Sequence, residues 1–122
     1  MKDAAGAFCS GLCLCHCLLT PLFIAGGSLG TLGVLLASEW VHQVLLLPVA
    51  LFALLSFPSA YRLHQRLLPG MFGLAGVIGL FSAVIVGGSF EVVLSVIGAL
   101  MLVIAHLWNR HLSASLKAVN PA

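Results

Sequence analysis

The sequence predicts an all-α polytopic membrane protein of four transmembrane helices with both termini cytoplasmic. Three observations carry this. Only 7% of the 122 residues are Asp, Glu, Lys or Arg, and 61% are hydrophobic. An ordinary soluble domain is roughly one-quarter charged, and a disordered chain is poor in apolar residues, so both classes are excluded. The five basic and three acidic side chains cut the chain into four uncharged blocks, at residues 4–38, 40–61, 67–90 and 92–109. Finally, four spans place Lys2, Arg62, Arg66, Arg110 and Lys117 on one side and Glu39 and Glu91 on the other. Basic residues mark the cytoplasmic side.

The first block exceeds the about 20 residues that one crossing needs. Gly26, Gly27, Ser28, Gly30 and Gly33 weaken helix. Span one is therefore set at about 8–27, followed by an outer loop or short interfacial helix. Its apolar run is too long for a signal-peptide core, so it reads as retained rather than cleaved. Span two, about 40–60, starts after Ser38 as N-cap, and Trp40 and Tyr61 bracket it at the two interfaces. Span three, about 68–89, opens on Pro69-Gly70, since proline is tolerated in a first helical turn. Span four covers about 92–109. Strands do not fit, because a membrane barrel alternates polar and apolar residues. The whole chain reads as one four-helix domain.

Ala75, Gly79, Ala83 and Gly87 recur every four residues, and Ser95 and Ala99 continue the pattern in span four. Small residues let helices approach closely in lipid. This face serves packing within the chain or between copies, so a homo-oligomer is one expectation. The net charge of +2 is too small to point to nucleic acid.

Polar side chains inside spans are costly, which makes the few present here informative. At helical spacing Cys9, Cys13, Cys17 and Thr20 share one face, with His16 on the same flank and Cys15 elsewhere. Cys13, His16 and Cys17 form a C-x-x-H-C set, and thiolate with imidazole suits zinc, copper(I) and similar ions. Pro21 cannot donate to the Cys17 carbonyl and is expected to kink the helix there. Cysteine is also a small hydrophobe, so a packing reading stands beside the metal one.

His42 follows Glu39 by three residues, and with Glu91 these groups would draw a cation to the outer mouth. His106 lies one turn before Arg110, beside Asn109; it should face the bundle, near the depth of Cys13. His64, between Arg62 and Arg66, and His111 fit solvated positions. No phosphate loop, Ser-His-Asp set, H-E-x-x-H helix or C-x-x-C-H motif is present. The expectation is no enzyme and no tightly bound cofactor. A haem held by His42 and His106 fails because these residues fall near opposite faces.

The run Cys13-Leu14-Cys15-His16-Cys17-Leu18-Leu19-Thr20-Pro21-Leu22 resembles the MerC family of bacterial inner-membrane proteins. So do Glu39-Trp40-Val41-His42, Tyr61-Arg62-Leu63-His64 and Ala105-His106-Leu107-Trp108-Asn109, in order along nearly the whole chain. The resemblance implies a four-helix protein of the bacterial inner membrane that takes up mercuric ion. It also implies that Cys13 and Cys17, followed by Pro21, carry the ion. Mercury-resistance members have C-x-x-C and further cysteines in the C-terminal tail, whereas this chain has C-x-x-H-C and no cysteine after Cys17. Mixed thiol and imidazole ligands suit zinc at least as well as mercury.

The leading expectation is thus a metal carrier. Glu39, His42 and Glu91 attract the ion outside, Cys13, His16 and Cys17 accept it, and His106 and His64 help release it inside. Zinc binding or uptake, and a non-transporting membrane partner subunit, are the alternatives.

Overall fold

The computed structural model describes residues 1–27, 30–36 and 38–119, apart from the side chains of residues 32, 39 and 89. The elements are α1 (Lys2–Ala25), α2 (Gly30–Leu36), α3 (Glu39–His64), α4 (Leu68–Val86) and α5 (Gly88–Val119). No strand occurs among the described residues. Helices α1, α3, α4 and α5 are each long and apolar enough to cross a membrane. Large apolar side chains such as Leu22, Leu47, Leu54 and Ile85 point outward, as lipid-facing residues do. The chain is a multi-pass helical membrane protein.

Two boundaries differ from those expected. Helix α1 begins at Lys2 rather than near residue 8, because Asp3 and Gly6 pack inside the bundle. Helix α5 continues to Val119, past the apolar block, since a helix does not need apolar residues to propagate. Short helix α2 forms in the connection between α1 and α3, while Ser28 lies outside the described residues. Pro21, Pro48 and Pro58 sit inside continuous helices, so the expected kink does not interrupt α1. Ser38 takes the N-cap position of α3 in extended conformation, but without a side-chain cap bond. Its carbonyl accepts from the Val41 N–H at 3.1 Å. Pro69 occupies the first turn of α4. Gly87 and Gly88 reverse the chain between α4 and α5 at φ +64° and +63°, where a side chain would be strained.

Around the bundle α1 contacts α3, α3 contacts α4, α4 contacts α5 and α5 closes back onto α1, with α3 and α5 also touching across the middle. Each helix buries a stripe at alternating spacings of three and four. On α1 these are Gly6, Ser10, Cys13, Cys17 and Thr20; on α4 they are Gly73, Gly76, Leu80 and Ala83. That 3.5-residue repeat is the seam of helices packed nearly side by side. The strict four-residue stripe drifts off it by about 40° per step, because a helix turns every 3.6 residues. Gly79 and Ala83 therefore face inward, and Gly79 meets Gly98 of α5, while Ala75 is exposed. The closest approach joins α4 and α5. A Cβ on Gly76 would lie 2.8 Å from the Gly98 carbonyl oxygen, and one on Gly98 equally close to the Gly76 oxygen.

Helices α1 and α3 run antiparallel. Cys17 lies level with His42 and Asp3 with Ser56, two levels about 21 Å apart along either helix. The starts of α1 and α4 and the ends of α3 and α5 share one end of the bundle. It carries Lys2, Arg62, Arg66, Arg110 and Lys117 and is called the basic end below. Glu91 sits at the opposite end.

Candidate metal centre

Cys13 and Cys17 are one turn apart on the buried stripe of α1, and neither is in a disulfide. His42 reaches them from α3. One ligand atom from each of Cys13, Cys17 and His42 lies within 4.8 Å of the other two, and all three residues are buried. Zinc–sulfur bonds are near 2.3 Å and zinc–nitrogen bonds near 2.1 Å, so two ligands of one ion sit at most about 4.6 Å apart. That limit holds only for two opposite ligands; around a tetrahedral ion neighbouring ligands sit about 3.6–3.8 Å apart, so the three atoms need to close by about 1.2 Å at most to share an ion.

Neighbours fix the His42 ring. Its Nδ1 lies 3.0 Å from Glu91 Oε1, and since a carboxylate only accepts, the proton is on Nδ1. Nε2 is left as a lone pair, with the buried Ser95 hydroxyl 3.4 Å away. A carboxylate on one imidazole nitrogen that frees the other is the usual support of a metal-binding histidine.

His16 stands apart from the three-atom group. Its Nε2 donates to the Leu36 carbonyl at 2.7 Å, tying α1 to α2. Its Nδ1 is buried without a hydrogen bond, and its ring centroid is 6.4 Å from that of His42. His16, Cys17, His42, Glu91, Thr20 and Ser95 line a cavity of about 210 Å³, so Cys17 and His42 border open space shared with Glu91, while Cys13 lies behind them. Cys15 is exposed and Cys9 half-buried, both outside the cluster.

The remaining predicted residues lie elsewhere. His106 is fully buried and faces the bundle, but it packs against Gly6 rather than near Cys13. That is seven residues, about 10 Å, nearer the basic end. About 16 Å along α1 separates the His106 and His42 levels, too far for one haem. His64 is half-buried and hydrogen-bonded to Asn109 at 2.8 Å rather than simply solvated. The Glu39 side chain, expected at the outer mouth, lies outside the described residues.

Two features go beyond what the sequence suggests. Spacing from Glu39 puts His42 at the mouth, whereas the antiparallel pairing of α1 and α3 brings it onto the thiols. Asp3 has the position of a flanking charge, yet its carboxylate is held by Ser56, His106 and Asn109. A signal for Asp3 exists in the sequence, because it continues the α1 stripe one turn before Gly6.

Fold and site together define a polytopic helical membrane protein with a buried thiol–imidazole cluster suited to a soft metal ion. The chain belongs to the MerC mercury resistance protein family, whose model matches residues 3–111. That stretch contains Cys13, Cys17, His42 and Glu91. No curated protein and no solved structure matches the chain.

Proposed function

We propose that this chain carries mercuric ion, or a related soft or borderline divalent cation, inward across the bacterial inner membrane. The basic end faces the cytoplasm, as the excess of Lys and Arg there favours. Glu91 and the cavity beside it receive the ion, and Cys13, Cys17 and His42 bind it. Each thiol gives up its proton to form a metal–sulfur bond, and water leaves the ion as ligands replace it. Ligand exchange then moves the ion toward the basic end. The protein is not an enzyme and holds no resident cofactor in this reading.

One observation carries the proposal: two thiols and an imidazole from two helices converge inside a membrane bundle, within 4.8 Å of one another. Membrane segments rarely bury such groups without a functional reason. A second reading, with zinc as cargo, is favoured by the imidazole as third ligand, since a Cys₂His set is an established zinc environment.

The test is ion uptake by proteoliposomes that contain the purified chain. Cys13→Ser with Cys17→Ser is expected to abolish uptake of mercuric ion and of zinc. Cys15→Ser, whose thiol faces outward, should leave it intact. Wild-type uptake by the Cys13/Cys17 variant would refute the role of the thiols. Tight binding without any uptake by the wild-type chain would instead make this a partner subunit.

A further inference from the structure

Toward the basic end the same face of α1 carries a second polar system. Asp3 Oδ1 accepts from Ser56 Oγ at 2.5 Å, Asn109 Nδ2 at 2.8 Å and His106 Nδ1 at 3.2 Å. Asn109 is itself oriented, because His64 Nε2 donates to its Oδ1 at 2.8 Å. His64 Nδ1 in turn accepts from the Arg66 backbone N–H at 3.0 Å. The chain of donors fixes which way each group points.

The consequence falls on His106. Its Nδ1 proton is committed to Asp3, so in the neutral ring Nε2 is a lone pair. That atom is buried with no hydrogen-bond partner, in a side chain with no exposure. Ser10, one turn beyond Gly6 toward Cys13, also buries its hydroxyl without a partner. Each such orphan is a cost to the fold when nothing fills it. These two occupy the interval between Asp3 and the thiols.

The His106 ring is held in place. Phe57 stacks on it at 4.7 Å between centroids, with the planes 21° apart. A Cβ on Gly73 would overlap the Phe57 ring, and one on Gly6 would overlap the imidazole. Two glycines on opposite helices thus make room for the stack. A carboxylate on Nδ1 and a bare Nε2 repeat the arrangement seen at His42 and Glu91. Beyond Asp3 a cavity of about 310 Å³ opens at the basic end, lined by Asp3, Ser56, Ser113 and the two lysines Lys2 and Lys117. One cavity therefore reaches Cys17 and another reaches Asp3, and only Gly6, Ser10 and Cys13 separate them on the buried stripe of α1.

We propose that His106 Nε2 and Ser10 Oγ form a second, weaker station for the cargo ion, with Asp3 holding the imidazole, between the thiol centre and the basic-end cavity. The proposal rests on the carrier reading above. One nitrogen and one oxygen grip a soft ion less firmly than two thiolates do. The station therefore suits transit, and the cavity beyond it, whose two lysines oppose a cation and whose Asp3 carboxylate is already engaged by three donors, leads on to the basic end.

Zinc is the probe for direct binding. In the full chain carrying Cys13→Ser and Cys17→Ser, weak zinc binding is expected to persist. Adding His106→Asn should weaken it at least about tenfold. Asparagine keeps a donor to Asp3 in the Nδ1 position and removes the Nε2 lone pair, so a merely structural role for His106 predicts no change. In the thiol-intact chain, His106→Asn should bind mercuric ion like wild type but take it up at least about tenfold more slowly. Wild-type uptake by His106→Asn, or zinc binding indifferent to His106 in the thiol-free chain, would overturn the proposal. If His106→Asn fails to fold, Ser10→Ala gives the same two readouts, and unchanged values in either would overturn the station equally. Uptake that survives loss of both thiols would instead sink the carrier reading, and the zinc titration separates the two failures.

Discussion

Glu91 offers the sharpest check on how the thiol centre is assembled. Its Oε1 accepts from His42 Nδ1 at 3.0 Å, with the Glu91 side chain 27% exposed and that of His42 8%. Glu91→Gln keeps the size and an acceptor oxygen but removes the charge that orients the ring and raises its basicity as a ligand. Losing such a supporting carboxylate typically weakens metal affinity about 10–100-fold. Partial exposure screens the charge, which puts this case at the lower end, about tenfold or about 1.4 kcal/mol. Competition between a chelator and the purified protein for zinc or mercuric ion measures it. The same substitution in a His42→Ala background should cost less than about twofold, because its effect passes through the ring. Unchanged affinity in Glu91→Gln, or a tenfold loss that persists without His42, would refute the assigned role.

Two further outcomes follow from the same geometry. Gly98→Ala places a methyl 2.8 Å from the Gly76 carbonyl oxygen, so α4 and α5 must part. The expected cost is about 1–3 kcal/mol, read as a lowered thermal midpoint in detergent. Protons compete with metal for both thiols and for the His42 lone pair, so affinity should fall as the medium is acidified. Two displaced protons make that fall as steep as about a hundredfold per pH unit below the thiol range. A flat affinity profile between pH 8 and pH 6, about the range over which thiols and imidazole protonate, would argue against thiolate ligation.

The helices are legible because eight scattered charges bound the apolar blocks, and lipid-facing helices need little else in their sequence. The Cys13–Cys17 pair is legible for a similar reason: both thiols lie on one helix, where spacing alone decides which face they share. His42 is not, because its partnership depends on how α1 and α3 align, which no single-helix pattern contains. Its three-residue separation from Glu39 points to the mouth, whereas its place on the buried α3 stripe, with Leu46 and Val49 following, decides its contacts. The depth of His106 is hidden because the apolar block ends near Arg110, while α5 continues to Val119. Asp3 is easily misread: a charge beside the N-terminus reads as a membrane-flanking residue, although its spacing from Gly6 continues the α1 stripe and its carboxylate meets Ser56, His106 and Asn109.

The distribution of ionisable groups among the helices says how the bundle divides its labour. Helix α4 has none, and it contributes glycines, with Gly73 backing Phe57 and Gly76 admitting α5. Helix α1 touches both α3 and α5 and carries on one stripe every donor that faces either centre from its side. Along that stripe the side chains run Cys17, Cys13, Ser10 and Asp3, from soft sulfur to hard oxygen. A mercuric ion prefers the first two strongly, so its passage to the nitrogen and oxygen donors beyond them is slow. Zinc, which accepts sulfur, nitrogen and oxygen, meets a smaller step between neighbouring donors. The order of donors on α1 therefore makes the rate of release, more than the strength of capture, the property that should separate the two ions. Wild-type proteoliposomes given each ion outside and holding a thiol acceptor inside would show it: the acceptor should speed mercuric uptake strongly and zinc uptake little.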